Sequence, residues 1–459
     1  MNFWSWDRVA DALQPFAAVN LPRGLESFAR IWSDTRTIAR GDLFVALVGE
    51  RFDAHEFLQQ AVASGAGGLV VSRAEGTRGL GVPVFEVRDT LVALGALGRY
   101  RRCAWGNPVV GVVGTNGKTS TKELLKAALG STLSTHATYG NLNNLVGVPL
   151  TLLAIPDEAD VAVIEMGTNQ PGEVARLRAV VEPNVTVVTS IAEEHLEGLG
   201  DLAGVMREEL AACDGVAMAV VPASQPDVVA EARKRARRVI AAGVDEGDLR
   251  ADQWTLDTDG SGRVTVGGKE VRVPLRGVHN LRNTMLALAV ARELGVPVER
   301  AAEGIARMSV PPMRSNVEQL GQATLVNDAY NSNPGSARAA LELLQHAGRG
   351  RQRVAVLGTM LELGPSGPSL HESLARDALA SPIEVLAGLG EFAAAFDRAA
   401  DASARQRLVT ADDVESLWNR LASRLEPDAV ILLKASRGVR LEQLVPKIRE
   451  WAAGKGAKG

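Results

Sequence analysis

Gly114-Thr115-Asn116-Gly117-Lys118-Thr119-Ser120 lies between the apolar run Val109-Val110-Gly111-Val112-Val113 and the stretch Lys122-Glu123-Leu124-Leu125-Lys126-Ala127-Ala128-Leu129. The apolar run has the continuous hydrophobicity of a buried parallel strand. The following stretch has helical spacing. Strand, glycine-rich turn, Gly-Lys-Thr and helix form the layout of a phosphate-binding loop, in which backbone N–H groups and a helix N-terminus face an anion. In such a loop Lys118 neutralises the β/γ end of a nucleotide and the Thr119 hydroxyl ligates Mg²⁺. The common form of this loop has glycine five residues before Gly117. That position is Val112 here, and glycines stand at 111 and 114 instead. The altered spacing points to a narrower class than the generic phosphate-loop NTPases. The bland alternative is a glycine-rich turn that binds nothing.

The 459 residues allow about three domains. Hydrophobic residues make up 46% and charged residues 23%, the balance of a globular chain. A net charge of −4 argues against a general nucleic-acid surface. An anionic substrate must therefore be held by local donors. The two cysteines, Cys103 and Cys213, form no close motif, which suits a reducing compartment. The N-terminus lacks a basic-then-apolar signal pattern, and no apolar run approaches the ~20 residues that span a bilayer. A cytoplasmic monomer without an integral membrane segment is expected.

The fold expected is α/β in three domains: a small N-terminal α/β domain (1–104), a central phosphate-loop domain with a mainly parallel sheet (105–311), and a C-terminal Rossmann-like domain (312–459). In the first, 42–47 and 68–71 read as strands with a helix at 56–64, and 91–104 as a helix leading into a Gly-Asn-Pro linker. In the second, 160–165, 184–189 and 216–221 read as further strands, 254–274 as a small antiparallel insertion and 279–294 as a helix. Strands alternating with helices imply a parallel sheet covered on both faces. Pro311-Pro312 marks the next boundary, after which 323–327, 353–357, 383–386 and 429–433 read as strands. No Gly-x-Gly-x-x-Gly follows the first of these, so a dinucleotide is not the expected ligand. The tail 454–459 reads as disordered.

Several residues beyond the loop can carry chemistry. Glu165 ends an apolar strand and is followed by Met166-Gly167-Thr168-Asn169, so it can bind the Mg²⁺ that accompanies phosphates or be a solvated strand-end acid. His195, in Ile191-Ala192-Glu193-Glu194-His195-Leu196-Glu197, falls where the next strand of the same sheet opens, and is otherwise a capping or packing residue. Asn280 and Asn283 share a helix face and can read an adenine edge or cap the helix. Asp328, at a strand end, can hold ribose hydroxyls or belong to an Asx-rich turn. Lys434 and Arg437 bring two cations to the same sheet edge, or form a solvated basic end. Ser33-Asp34-Thr35-Arg36 can hold a base and phosphates or form a turn.

Over nearly its whole length the chain resembles the Mur ligase family. Gly-Thr-Asn-Gly-Lys-Thr is shared with the wider ligase group, including folylpolyglutamate synthetases. Ser33 to Arg36 is similar to the uridine-nucleotide site of the muramyl-peptide branch. Tyr139-Gly140-Asn141-Leu142-Asn143-Asn144-Leu145-Val146-Gly147-Val148-Pro149, Gly167 to Glu173 and Asp328-Ala329-Tyr330-Asn331-Ser332-Asn333-Pro334 resemble the members that add D-Ala-D-Ala. The Asp-Asn-Pro-Arg-type motif of the sibling that adds the third residue is not found.

The resemblance implies an ATP-dependent ligase. It would join D-Ala-D-Ala to UDP-N-acetylmuramoyl-tripeptide through an acyl phosphate, with ATP and Mg²⁺. By resemblance Lys118, Glu165 and His195 are catalytic, and Thr119, Glu165 and His195 serve the metals. Gly114 to Ser120, Asn280, Asn283, Arg314 and Asp328 hold ATP. Ser33, Asp34, Thr35, Arg36, Asn141, Asn143 and Asn144 hold the UDP-sugar peptide, and Lys434 and Arg437 lie near the dipeptide or phosphate. Two positions depart from the family pattern. Glu209 stands where many members carry a carbamylated lysine; it can supply a metal-binding carboxylate directly, or the alignment is off by a residue, or Mg²⁺ binding is weakened. Thr359 stands where the family usually has Asp.

Overall fold

A computed structural model describes residues 3–19, 27–311 and 313–456. Pro312 of the expected boundary and residues 457–459 of the tail lie outside them. Residues 454–456 are not disordered as expected, since the last helix runs Leu444–Gly456.

Four short strands, Ile31–Trp32, Leu43–Val45, Gly68–Val71 and Val84–Glu86, pair in parallel in sequence order. The two outer ones are too short to show a period-two pattern, which is why the sequence does not reveal them. Trp6, Phe28 and Phe85 interlock beneath this sheet, with ring centroids 5.2–6.2 Å apart. Gly68 makes that packing possible, because a Cβ there would come within 2.6 Å of the Phe28 ring. The expected helix at 56–64 is split into a 3₁₀ turn, Ala54–Phe57, and a helix, Leu58–Ala63. The next helix, Thr90–Trp105, starts where Asp89 accepts hydrogen bonds from Leu91 and Val92 N–H. It stops at Gly106, whose φ of +80° suits only glycine well.

The central sheet has seven strands in the order Leu249–Arg250, Val239–Gly243, Met218–Pro222, Val185–Val188, Val109–Val113, Val161–Glu165, Thr135–Ala137. The three strands expected after the loop are present with shifted ends. All five residues of Val109–Val113 are buried, as its apolar run requires. Gln253–Leu256, Gly262–Val266 and Lys269–Val273 form the expected antiparallel insertion.

The C-terminal sheet has six strands, ordered Asn316–Leu320, Ala323–Asp328, Val430–Lys434, Arg353–Gly358, Val385–Leu389, Leu408–Ala411. It is parallel except for its first, antiparallel edge strand. The two edge strands were not expected. The last strand in sequence is inserted between Ala323–Asp328 and Arg353–Gly358, so Asp328 and Lys434 stand side by side in register. Ligands of open parallel sheets bind at the carboxyl ends of strands where the order reverses in this way.

The chain divides into two compact units. One is Met1–Gly111 with Leu133–Thr168 and Gly172–Val185, and the other is Val112–Thr132 with Asn169–Pro171 and Thr186–Gly459. The phosphate loop and the C-terminal sheet belong to the second. Among the described residues no helix is long and apolar enough to cross a membrane.

The helix after the loop, Lys118–Leu129, packs against Val298–Ala306 at Gly304. A Cβ at Gly304 would lie 2.0 Å from the Ala127 carbonyl oxygen. Gly304→Ala is therefore expected to cost about 1–3 kcal/mol through overpacking. The check is a lower urea midpoint with an unchanged m-value.

Candidate active site

The loop takes its shape from two left-handed glycines. Gly114 has φ +118°, and a Cβ there would lie 2.5 Å from Thr189 Oγ1 and 2.8 Å from the Ser190 carbonyl oxygen. The chain is therefore pressed against the segment that follows strand Val185–Val188. Thr115 N–H donates to the Ser190 carbonyl (2.7 Å), Ala192 N–H donates to Thr115 Oγ1 (3.0 Å), and Asn116 N–H donates to Ser190 Oγ (3.1 Å). Gly117, at φ +87°, opens the helix Lys118–Leu129. A Cβ on it would meet Asn283 Nδ2 at 2.7 Å. Lys118 Nζ donates to the Gly114 carbonyl (2.5 Å) and the Thr115 carbonyl (3.2 Å), and lies 4.0 Å from Glu194 Oε2.

Glu209 is buried, and its Oε2 accepts the Gly114 N–H at 2.8 Å. Burial raises its pKa, against the lowering pull of Lys118 and of that hydrogen bond. Its carboxyl group thus supports the loop from behind. Thr119 and Ser120 occupy the first turn of the helix, with Ser120 buried.

A polar network joins the loop to the C-terminal sheet within the same unit. Glu194 Oε1 accepts from Asn331 Nδ2 (2.8 Å) and Asn333 Nδ2 (3.4 Å). Asn333 and Asn116 exchange amide hydrogen bonds of 3.1 and 2.8 Å. Asn333 also caps the helix Pro334–Ala347 through a capping box with Ser336. His195 caps the short helix Leu196–Leu199 by position, at φ +53°, while its Nδ1 bonds the Glu362 carboxylate. The loop carrying Glu362 is held by His371. Its buried Nε2 accepts Met360 N–H (2.9 Å), so Nδ1–H donates to the Gly367 carbonyl (2.7 Å).

Asp328 Oδ1 accepts Ser315 N–H at 2.9 Å, and its Oδ2 lies 2.8 Å from Lys434 Nζ. Lys434 is buried and also donates to the Asn331 carbonyl at 2.6 Å, so it braces the loop that carries the asparagines. Arg437 is exposed, 3.2 Å from Glu442. The Arg314 guanidinium lies over the Tyr330 ring, 4.4 Å from its centroid. Asn280 Nδ2 donates to the Arg276 carbonyl (2.7 Å), and Asn283 Nδ2 donates to Asn280 Oδ1 (3.2 Å), which places the pair behind Gly117. Beside them, burial depresses His279 to a pKa of about 4. Thr359 Oγ1 accepts Glu391 N–H at 3.1 Å and so caps the helix Glu391–Ala399 without a charge.

In the first unit, buried Glu165 ends its strand and accepts a 2.8 Å bond from Asn143 Nδ2 at Oε1. Asn144 Oδ1 accepts from Val146 and Gly147 N–H, starting the helix Gly147–Leu153, and the Asn141 carbonyl accepts Asn143 N–H. Asp34 caps the 3₁₀ turn Thr35–Thr37 and pairs with the Arg36 guanidinium at 2.7 Å, next to Ser33.

Two family models match this chain. The Mur ligase middle domain covers residues 112–291, and the Mur ligase, glutamate ligase domain covers residues 313–437. The UDP-N-acetylmuramoyl-tripeptide–D-alanyl-D-alanine ligase of Escherichia coli (strain K12) is 34% identical, over 92% of this chain and 93% of its own. This chain belongs to the Mur ligase family. The ligase of the same name from Bacillus subtilis (strain 168) is 32% identical, over 91% of this chain and 92% of its own. Among solved structures, MurF from Acinetobacter baumannii superposes with a TM-score of 0.89 at 30% identity, covering 97% of this chain and 99% of that one. MurF ligase from Thermotoga maritima in complex with ADP gives 0.81 at 27%, covering 93% and 98%.

The three-domain α/β fold expected from the sequence is that of the Mur ligases. Glu194, Asn333, Glu362 and His371 were not singled out in the sequence of this Mur ligase. An Asn directly before Pro at a helix start was the available signal for Asn333. The others act through partners distant in sequence.

Two predictions follow from this geometry. Gly117→Ala forces a methyl group into Asn283 and strains φ, so ATP affinity is expected to fall at least tenfold, measured by titration with a fluorescent nucleotide. His371 has a pKa lowered by burial. Its folded form therefore resists protonation, and stability is complete above the unfolded value near 6.5 and is lost as pH falls below it. Urea unfolding between pH 7.5 and 5 should show that loss, and His371→Gln should reduce its slope, leaving the part that buried His279 contributes.

Proposed function

We propose that this Mur ligase joins D-Ala-D-Ala to UDP-N-acetylmuramoyl-tripeptide, yielding the pentapeptide peptidoglycan precursor, ADP and phosphate. The observation that carries the reading is the position of Lys118. It lies on a phosphate loop tied through Glu194, Asn116 and Asn333 to the carboxyl edge of the C-terminal sheet. The relatives named for this reaction support the choice of substrates. We assign residues 1–104 to the UDP-sugar peptide, 105–311 to ATP and ligation, and 312–459 to closing the ATP site. We place the reaction in the cytoplasm, carried out by a monomer.

The chemistry brings two anions together. A tripeptide carboxylate oxygen attacks the γ-phosphorus, and ADP leaves. The dipeptide amine then attacks the acyl carbon, loses a proton, and phosphate leaves. Lys118 offsets the repulsion in the first step, from a site where low dielectric makes a fixed charge effective. Gly114 to Ser120 form the loop around the phosphates, with the amides at the helix start as donors, because those of Gly114, Thr115 and Asn116 bond within the protein. Asn280 and Asn283 set the loop from behind, while Arg314 and Asp328 hold the rest of ATP. Ser33, Asp34, Thr35, Arg36, Asn141, Asn143 and Asn144 take the UDP-sugar peptide, and Lys434 and Arg437 shape the edge where the dipeptide enters.

By the chemistry of their donors the Thr119 hydroxyl and the Glu165 carboxylate each offer the hard oxygen that Mg²⁺ prefers, with His195 as a further candidate. When bound, the ion neutralises charge on the phosphates. Glu209 fits least, since Gly114 N–H already engages it and burial favours its neutral form.

The test is phosphate release in a coupled assay. Full turnover is expected only with ATP, Mg²⁺, UDP-N-acetylmuramoyl-tripeptide and D-Ala-D-Ala together, and excess EDTA should abolish it. Lys118→Ala should lower kcat by about 10²–10³. Turnover with lysine or diaminopimelate in place of D-Ala-D-Ala, or without any acceptor, would refute the reading.

A further inference from the structure

Tyr139 is 84% exposed, more than any other large hydrophobic side chain among the described residues. Leu142, three residues on, is 37% exposed, and its N–H donates to the Tyr139 carbonyl at 3.2 Å. The two apolar side chains thus flank one tight turn. Single exposed apolar residues are common on protein surfaces, but this turn is braced and stands beside a site carboxylate.

The bracing comes from both ends. Thr138 is buried, its N–H donates to the Val163 carbonyl (3.0 Å), and its Oγ1 accepts Glu165 N–H (2.9 Å). Asn143 Nδ2 donates to Glu165 Oε1, and the Asn143 carbonyl accepts Gly167 N–H (2.8 Å). A Cβ on Gly147 would lie 2.5 Å from the Leu142 backbone, so the chain is closed against itself there. A large ring held in water on such a fixed turn gains its burial only when something binds against it.

Strand register places the ring. Ala137 pairs with Val163 in the adjacent parallel strands Thr135–Ala137 and Val161–Glu165, so Tyr139 leaves the sheet beside Glu165. The ligase reading above gives Asn141, Asn143 and Asn144 to the UDP-sugar peptide, and the carboxylate that is activated belongs to the last residue of that tripeptide. The side chain of this residue branches one bond from the reacting carboxyl group. It therefore meets the surface around Glu165 and Asn143, where Tyr139 and Leu142 stand.

We infer that Tyr139 is a specificity-determining residue for the peptide substrate, packing its ring along the third residue's side chain, a long aliphatic stem that ends in an amine. The inference rests on the ligase reading. A phenol face attracts both parts of such a chain: the methylene stem by burial and the ammonium through the ring quadrupole. Leu142 extends the apolar surface under the stem.

The test compares donors that differ only at the third residue, with ATP and D-Ala-D-Ala saturating. One ends in lysine or diaminopimelate, whichever the unmodified enzyme turns over better, and the other in alanine. Tyr139→Ala is expected to lower kcat/KM about fivefold for the amine-ended donor, the loss of an exposed cation–π contact with its packing, and to leave the alanine-ended donor within about twofold. Tyr139→Phe keeps the ring face and should stay within about twofold of the unmodified enzyme for both donors. If the alanine-ended donor does not turn over, its inhibition constant against the amine-ended donor is the quantity compared. Equal losses for the two donors, or no loss for the amine-ended one, overturn the assignment, as does a Tyr139→Phe enzyme no better than Tyr139→Ala. An unmodified enzyme that turns over neither amine-ended donor with D-Ala-D-Ala overturns the ligase reading itself.

Discussion

The constraint on which the rest depends is the backbone of Gly114 and Gly117. Both have positive φ, and each position is closed by a neighbour that leaves no room for a side chain. Gly114 is pressed onto Thr189 and Ser190, and Gly117 onto Asn283. The loop is therefore clamped between the end of a neighbouring strand and the second turn of the helix Val278–Glu293. A loop held by such contacts needs no reorganisation when a phosphate arrives at the helix start, and preorganised donors are what make electrostatic stabilisation effective. Glu209 completes the clamp from the interior by accepting Gly114 N–H.

From that clamp the structure extends outward through one carboxylate. Glu194 faces Lys118 with one oxygen and the two asparagines of the C-terminal loop with the other. Asn333 starts a helix and bonds Asn116 at the same time, so the entry of that helix is fixed to the phosphate loop. Lys434, from the strand inserted last into the sheet, braces the same loop through the Asn331 carbonyl and Asp328. A group that contacts both the nucleotide loop and the C-terminal sheet fixes the loop against the sheet edge.

The sequence made the local devices readable and left the long-range ones hidden. The buried strand Val109–Val113, the glycine turn and the following helix are adjacent in sequence, and their periodicity shows directly. The antiparallel insertion and the helix at Val278–Glu293 were readable for the same reason. Strands of two or three residues, such as Ile31–Trp32, carry too little pattern to show. The edge strands Asn316–Leu320 and Leu408–Ala411 are only half-buried, so their apolar signal is diluted. At the site, residue types were readable but their partners were not. Lys434 reads as a cation for an anionic substrate, yet it is buried against Asp328. Asn280 and Asn283 read as ligands for a base, yet they bond each other and back the loop. Partners 100 or more residues away, as Asn116 and Asn333 are, leave no trace in a local pattern.

The two departures from the family pattern become intelligible through the same physics. At 359 the hydroxyl of threonine caps the helix Glu391–Ala399, a task an aspartate also performs, so the loss of charge leaves the local fold intact. At 209 the glutamate reaches Gly114, while a longer modified lysine would extend past it. A short carboxyl group at that point gains a fixed hydrogen bond to the loop, while its burial raises its pKa. The loop is then held by a buried acid behind it, and the positive charge of the loop comes from Lys118. In that arrangement the electrostatics of the reaction are set by groups whose positions the fold already fixes, and the interior residue contributes geometry.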